Sequence, residues 1–295
     1  MSSAERAAGV LTALEPEELR VLQAVELGMA GFEYVPVEEV VKYAGLSTSE
    51  VEFRIGELNK KDLLYGQPGP YAGYILNYAG YDILALNALA KADVLEALGG
   101  RLGVGKEADV FEALAPGGAR VAVKFHRLGR TSFRDTRRKR GYTADRRYVS
   151  WLYRSRLAAE REFEALRLVH AAGVSAPEPI SQNRHVLVMS FIDGYNLADV
   201  DSLDDPDGFL DDILRNVRLA FAAGVVHTDL SEFNIVVRPD GQVLLIDWPQ
   251  YVAREHPNAD ALLRRDVGNV LRYFERKFGA GRDIEEAMGI VEGAA

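Results

Sequence analysis

The spacing of apolar positions changes several times along this chain, and the changes mark its elements. Leu19, Val21-Leu22, Val25 and Leu27 recur at helical intervals behind the acidic start Glu17-Glu18. Val37 to Tyr43 form a second, short helix entered through Pro36. A third runs from Glu50 to Lys61 with Val51, Ile55 and Leu58 on one stripe, and Ser47 or Thr48 can cap it. Leu63-Leu64-Tyr65 and Tyr71 to Ile75 read as strands about a turn at Gly66 to Pro70, and Ala79 to Ala90 resume helix. Residues 1–15 are small and polar and are expected to fray. Helix, helix, turn, helix, hairpin is the order of a winged helix, expected over residues 1–90. Lys91 to Leu98 continue as helix and Gly99-Gly100 break it, so a second domain, 91–295, opens near residues 90–98.

In that second domain the strand-like runs Val110 to Leu114 and Val121 to Lys124 flank the turn Pro116-Gly117-Gly118. An apolar-periodic helix covers about Leu157 to Ala171, and His185 to Gly194 reads as a strand ending in a loop. Asp199 to Asp212 is an acidic, solvated loop and helix start that lacks the glycine and terminal Glu of a calcium loop. A helix from Ile213 to Ala223 follows. Ile235 to Arg238 and Gln242 to Ile246, joined by Pro239-Asp240-Gly241, read as a hairpin. Leu262 to Phe278 is one helix with Val267, Val270, Leu271 and Phe274 inward. The fold class is α+β.

Folding the hairpin about Asp240 brings Asn234 and Asp247 to its open end, where an amide oxygen beside a carboxylate suits Mg²⁺. Asp229, on the loop entering the first strand, is placed to meet a hydroxyl or water. The sequence His227-x-Asp229 followed by Asn234 has the spacing of a kinase catalytic loop. Upstream, Gly100-x-x-x-x-Gly105-Lys106 fits a Walker loop, but Glu107 stands where a hydroxyl is needed, and strand rather than helix follows. Gly103-x-Gly105-x-x-Ala108 instead fits a kinase glycine-rich loop, whose backbone N–H groups approach phosphates. Lys124 in Val121-Ala122-Val123-Lys124 would hold the α- and β-phosphates. Glu160, Glu162 and Glu164 are candidates to position it, with Glu162 favoured. Met189, Phe191 and Ile192 fall where a kinase reads the adenine edge.

Composition narrows the partners. The chain has 295 residues, 48% hydrophobic and 27% charged, with no cysteine, so disulfides and thiolate metal sites are excluded. No apolar run is long enough for a membrane helix and no signal-peptide pattern opens the chain, which makes the cytoplasm the expected compartment and a membrane partner unexpected. A net charge of −9 argues against a general polyanion binder. Against that background residues 127–140, which include Thr131, Ser132 and Thr136, are strongly basic and read as a surface loop for a phosphate backbone. The third helix of the winged helix would be the one to enter a major groove. Its Glu50, Glu52 and Glu57 set against Arg54, Lys60 and Lys61 leave it close to neutral.

With these residues placed, the chain resembles the Rio atypical protein kinases, and among them the Rio-two branch with its N-terminal winged helix. The carrying residues are Gly103 to Asp109, Val123 to Arg134, Trp151-Leu152-Tyr153, His227-x-Asp229-Leu230-Ser231-Glu232-Phe233-Asn234 and Ile246-Asp247-Trp248-Pro249-Gln250. The resemblance implies a two-lobed kinase-like domain, its N-lobe at about 98–193 and its C-lobe at about 194–295. It also implies ATP, with Mg²⁺ or substituting Mn²⁺. Gly103, Val104, Gly105, Lys106 and Glu107 would cover the nucleotide, Asn234 and Asp247 would hold the metal, and Asp229, Asp247 and Lys124 would be catalytic. A role in small ribosomal subunit maturation is implied, with contact to precursor particle or rRNA through 127–140 and the winged helix. So are autophosphorylation, with Ser132 the candidate, and transient transfer of phosphate to Asp247. Ala108, Thr228 and Trp248 depart from the family's Ser, Gly and Phe. The stretch after Asp247 holds no Ala-Pro-Glu motif, so an ATPase switch or a kinase of few substrates is expected. Two other readings share parts of the pattern. One is a small-molecule phosphotransferase of the aminoglycoside or choline kinase type; the other is a nucleotide-sensing DNA-binding regulator.

Overall fold

The small polar residues that open the chain are helical, because Ser2 and Glu5 cap each other. The structure is a computed structural model that describes residues 2–67, 69, 72–128 and 145–293, the side chains of 145–150 excepted. In α1 (Ser3–Leu11) the Glu5 N–H donates to Ser2 Oγ at 3.2 Å and the Ser2 N–H to Glu5 Oε2 at 2.6 Å. This capping box, with Ala4 and Ala7 buried, replaces the expected fraying. Next come α2 (Pro16–Gly28), β1 (Val35–Pro36) and α3 (Val37–Ala44), which Gly45 ends in the left-handed region at φ 62°. Ser47 caps α4 (Thr48–Lys60), and β2 (Leu64–Gln67) and β3 (Gly73–Leu76) complete a three-stranded sheet of order β1-β3-β2. This is a winged helix, closed by α5 (Tyr78–Lys91), which Asn77 caps.

The expected helix through Leu98 is a correction. The chain leaves α5 at Lys91 and turns through Asp93, a left-handed residue at φ 53°. Strand β4 (Ala97–Val104) then takes in Gly99 and Gly100, so these glycines do not act as breaks. Gly99 serves close pairing, while Gly100 has open space beside it within the first register shift: β4 runs antiparallel to β5 (Ala108–Leu114) with register shifts after Leu98 and Arg101. A Cβ on Gly99 would lie 3.1 Å from the Glu112 carbonyl oxygen. Strand β6 (Arg120–His126) pairs with β5 in unbroken register, setting Lys124 opposite Val110.

Helix α6 (Asp145–Ala171) and the strands β7 (Pro179–Asn183) and β8 (Val186–Ser190) follow. After them come β9 (Tyr195–Asn196), α7 (Pro206–Ala222, capped by Asp205) and β10 (Val225–Val226). The hairpin is β11 (Ile235–Val237) and β12 (Val243–Leu245), with Ile235 opposite Leu245 and Gly241 at φ 85° in the turn. β13 (Val252–Ala253), α8 (Ala259–Phe278) and α9 (Ile284–Glu292) complete the chain. Short helix α9, flanked by glycines, is not legible from periodicity, yet it packs on α7 and buries Ala287, Met288 and Val291.

By packing, the chain forms two units, residues 1–157 with 183–186 and residues 158–182 with 187–295. The second has a continuous core in which Ala165, Leu166, Leu214, Phe221, Leu245, Trp248, Val267 and Phe274 are buried together. Removing that much apolar surface from water, at roughly 25 cal/mol per Å², is what holds the short hairpin and loops in register. Gly194 is needed where β9 crosses β11, since a Cβ there would meet the Val237 carbonyl oxygen at 2.7 Å.

Candidate active site

The hairpin in the second unit brings together the residues expected to carry chemistry. The Ile246 N–H donates to the Asn234 carbonyl at 3.0 Å, so Asn234 and the Ile246-Asp247 pair stand at the open end of β11 and β12. Asn234 is buried and its Nδ2 donates to the Asp229 carbonyl at 2.8 Å. That bond fixes the amide and leaves its Oδ1 as the acceptor end. Asp229, Asn234 and Asp247 are therefore tied into one loop system by backbone. Asp247 sits in the left-handed region at φ 69°, a conformation that non-glycine residues adopt rarely, at turns and at functional sites.

His227 holds this loop from beneath. Its Nε2 donates to the Ile246 carbonyl at 2.9 Å while its Nδ1 accepts the Asp229 N–H at 3.3 Å, which assigns the neutral Nε2–H tautomer. Burial lowers the ring's pKa, in keeping with that neutral form. Trp248 is fully buried beside it, ring centroids 4.4 Å apart, and its indole N–H donates to the Leu245 carbonyl at 3.1 Å. The larger ring thus replaces Phe without leaving a polar atom unpaired. The Trp248 backbone N–H donates to Glu162 Oε1 at 3.3 Å. Among the three candidate glutamates Glu162 is the buried one at 1% exposure, while Glu164 accepts from the Tyr251 hydroxyl at the surface.

Thr228 is the second left-handed residue of the loop, at φ 68°, which gives the family's glycine there a physical reason. For a β-branched residue this conformation is strained, and three bonds hold it. The Thr228 N–H donates to Asp266 Oδ2 at 2.6 Å, its Oγ1 donates to the Gln250 carbonyl at 2.9 Å, and its carbonyl accepts from Arg265. Asp266, on α8, is 1% exposed; burial pushes its carboxyl up to about 6 against the opposing pull of the Thr228 N–H and of Arg265. Asp266 was not among the residues expected to matter, and His227 was expected only as part of the catalytic-loop motif, with no role of its own. An acid on the inward stripe Leu263-Val267-Val270 was the available signal for Asp266.

Met189, Phe191 and Ile192 are half-buried at the end of β8, where the Ser190 N–H donates to the Glu178 carbonyl at 2.9 Å. Among the described residues no group of three or more His, Asp or Glu gathers as a metal cluster. Asn234 and Asp247 thus offer two hard oxygen donors, the sparse set that Mg²⁺ accepts when phosphates and water complete its shell.

The first unit carries the glycine-rich loop. Residues Gly103 to Glu107 are exposed, the first two ending β4 and the other three linking it to β5, with the Gly105 N–H donating to the Ala108 carbonyl at 2.8 Å. Strand follows instead of helix, so the Walker reading is excluded. Lys124 is buried on β6 at 6% exposure. In α4 of the same unit and at Lys61 just after it each basic residue meets an acid: Arg54 pairs with Glu50 and Glu15, Lys60 with Glu57 and Lys61 with Glu18. Of the basic stretch 127–140, Arg127 and Leu128 are described; residues 129–140, including Thr131, Ser132 and Thr136, lie outside the described residues. No described helix is long and apolar enough to cross a membrane.

Comparison with known proteins gives one consistent answer. The RIO domain model matches residues 109–287, and the model of the Rio2 N-terminal domain matches residues 11–92. The RIO-type serine/threonine-protein kinase Rio2 of Methanocaldococcus jannaschii is 42% identical over 253 residues, 84% of this chain and 92% of that protein. The serine/threonine-protein kinase RIO2 of Caenorhabditis elegans is 39% identical over 266 residues, 90% of this chain but 50% of that longer protein. The Rio2 kinase–ADP/Mg²⁺–phosphoaspartate complex from Chaetomium thermophilum superimposes with a TM-score of 0.85 at 35% identity, covering 96% of this chain and 88% of that one.

Proposed function

Because the chain belongs to the RIO kinase family, in its Rio2 branch, we propose that it is an ATP- and Mg²⁺-dependent serine/threonine protein kinase and ATPase. The observation that carries the chemistry is the hairpin end, where Asn234 is bonded to the Asp229 carbonyl and to the N–H of Ile246, the residue before Asp247. Asn234 Oδ1 and the Asp247 carboxylate are the residues that would hold Mg²⁺, whose contribution when bound is to neutralise charge on the transferring phosphoryl group. Backbone N–H groups of Gly103 to Glu107 cover the phosphates. Lys124 is assigned to the α- and β-phosphates and Glu162 to its positioning. Met189, Phe191 and Ile192 border the adenine.

Asp229 orients the attacking oxygen and takes its proton; that oxygen bonds to the γ-phosphorus as the bond to the β,γ-bridging oxygen breaks. With Asp247 as the first acceptor, water attacking the acyl phosphate releases inorganic phosphate and regenerates the carboxylate, giving net ATP hydrolysis. His227 and Asp266 fix the loop so that this geometry needs little reorganisation at the moment of reaction. The biological setting we propose is maturation of the small ribosomal subunit, with Ser132 as autophosphorylation site. The basic residues of 129–140 on a chain of net charge −9 support a phosphate-backbone partner, whereas Arg127, expected in the same surface stretch, is buried at 1% exposure and takes no part.

The test follows released phosphate and protein-bound label from γ-labelled ATP, with and without small-subunit precursor particles. Phosphate release stimulated by particles, with label confined to the chain itself, is the expected result. Label passing to a small molecule would replace this reading with the small-molecule phosphotransferase.

A further inference from the structure

A charged residue set among buried apolar neighbours demands a partner, and Asp82 on α5 is such a residue. Tyr81, Ile83, Leu84, Ala85 and Leu86 around it are all buried, and Asp82 itself is 0% exposed. Its carboxylate accepts from both terminal nitrogens of Arg127, at 2.7 and 2.8 Å, and lies 2.7 Å from His185 Nε2. Arg127 is 1% exposed, with its guanidinium over the rings of Tyr78 and Phe125 at 5.0 Å each. A bidentate pair in this setting is geometrically rigid. It fixes the residue that follows β6 against the winged helix.

The same arginine reaches the phosphate loop. The Arg127 backbone N–H donates to the Glu107 carbonyl at 2.6 Å, and its Nε faces the buried Asp109 carboxylate at 3.6 Å. Glu107 is the last loop residue and Asp109 the second of β5, so both acceptors belong to the limb by which the loop rejoins the sheet. The backbone bond extends the β5–β6 ladder one residue beyond Ala108 and His126, and the guanidinium facing Asp109 is what the arginine side chain adds to that limb. One residue further, the Leu128 carbonyl accepts from the Tyr78 hydroxyl at 2.9 Å and the Leu128 N–H donates to Ser155 Oγ at 3.0 Å.

We infer that Asp82 and Arg127 are positioning residues of the glycine-rich loop, and that the winged helix thereby sets the protein's affinity for ATP. The winged helix is then an internal brace for the nucleotide site, whatever its outer face binds. This rests on the proposed ATP-dependent activity. Neither residue touches nucleotide; each acts through the Glu107 carbonyl and the Asp109 carboxylate.

The experiment uses the full chain with Mg²⁺ and ATP, comparing wild type with Asp82→Asn and Arg127→Lys. Arg127→Lys keeps the buried positive charge but loses the fork, so it carries the test if Asp82→Asn does not fold. A loosened loop should raise the dissociation constant for ATP about tenfold in either folded variant and leave kcat within about twofold. Amide hydrogen exchange at residues 103–107 should quicken in the same variants. Lowered melting temperature with unchanged ATP affinity and unchanged exchange at 103–107 would overturn the inference. If wild type itself does not bind ATP, the activity reading fails, and exchange at 103–107 alone decides whether the brace exists.

Discussion

Two buried carboxylates, one in each unit, are held by opposite means. Burial alone would raise the Asp82 carboxyl, but Arg127 and His185 outweigh it and hold the group below the ordinary carboxylate range. Burial raises Asp266 as well, and there the Thr228 N–H and a more distant Arg265 do not compensate, so its carboxyl stands at about 6. Asp82 is thus half of a satisfied ion pair, and Asp266 is a carboxylate that keeps a loop in place at a cost to itself. A paired charge is expensive to break because its partner is left behind, whereas a lone acceptor of backbone N–H groups can be replaced by another acceptor. The first arrangement suits a brace. The second suits a catalytic loop whose strained residues, Thr228 and Asp247, have to be held from below.

The largest expected effect lies on the catalytic loop itself. Asp229→Ala should lower turnover by ~10²–10⁴ with ATP still bound and melting unchanged. Turnover close to wild type would remove Asp229 from the mechanism. Next, Asp82→Ala should cost roughly 3–5 kcal/mol of unfolding free energy at neutral pH, since it strands a buried guanidinium. Asp266→Asn, which keeps an oxygen for the Thr228 N–H, should cost far less in the same denaturation series. Equal losses in the two variants would erase the contrast.

The comparison also has a pH signature. Because the folded-state pKa of Asp266 is raised, its carboxylate opposes folding above about 6 and the opposition fades as pH falls to about 4, the ordinary carboxylate value. Wild type should therefore gain stability relative to Asp266→Asn between pH 7 and pH about 4. A relative loss over that window would mean the carboxylate is stabilised by its neighbours. The smallest effect concerns Thr228. Thr228→Gly relieves a left-handed backbone and Thr228→Ala does not, and both lose the bond to the Gln250 carbonyl. Glycine should be the more stable of the two by about 1 kcal/mol, and the same ranking in melting temperature would be seen by calorimetry.

Local signals made much of this legible. The hairpin about Pro239-Asp240-Gly241 could be read because turn chemistry and alternating apolar residues agree, and the open end then follows from register alone. The winged helix was legible for the same reason, through caps and stripes. What stayed hidden depends on partners distant in sequence. Gly99 and Gly100 look like a break until β5 lies beside them. Asp82 looks like a surface acid until Arg127 and His185 arrive from 45 and 103 residues away. Asp266 and the left-handed Thr228 explain each other only after α8 has packed beneath the loop.

The most direct measurement is the fate of the γ-phosphoryl group. Wild type and Asp247→Asn would be mixed with Mg²⁺ and γ-labelled ATP, and acid-quenched samples analysed for free phosphate and for the position of label on the chain. Wild type should release phosphate through a transient, hydroxylamine-sensitive label on Asp247, and the variant should show neither. Phosphate release that persists in Asp247→Asn, or a wild-type chain that neither takes up label nor releases phosphate, would contradict phosphoryl transfer at the hairpin end.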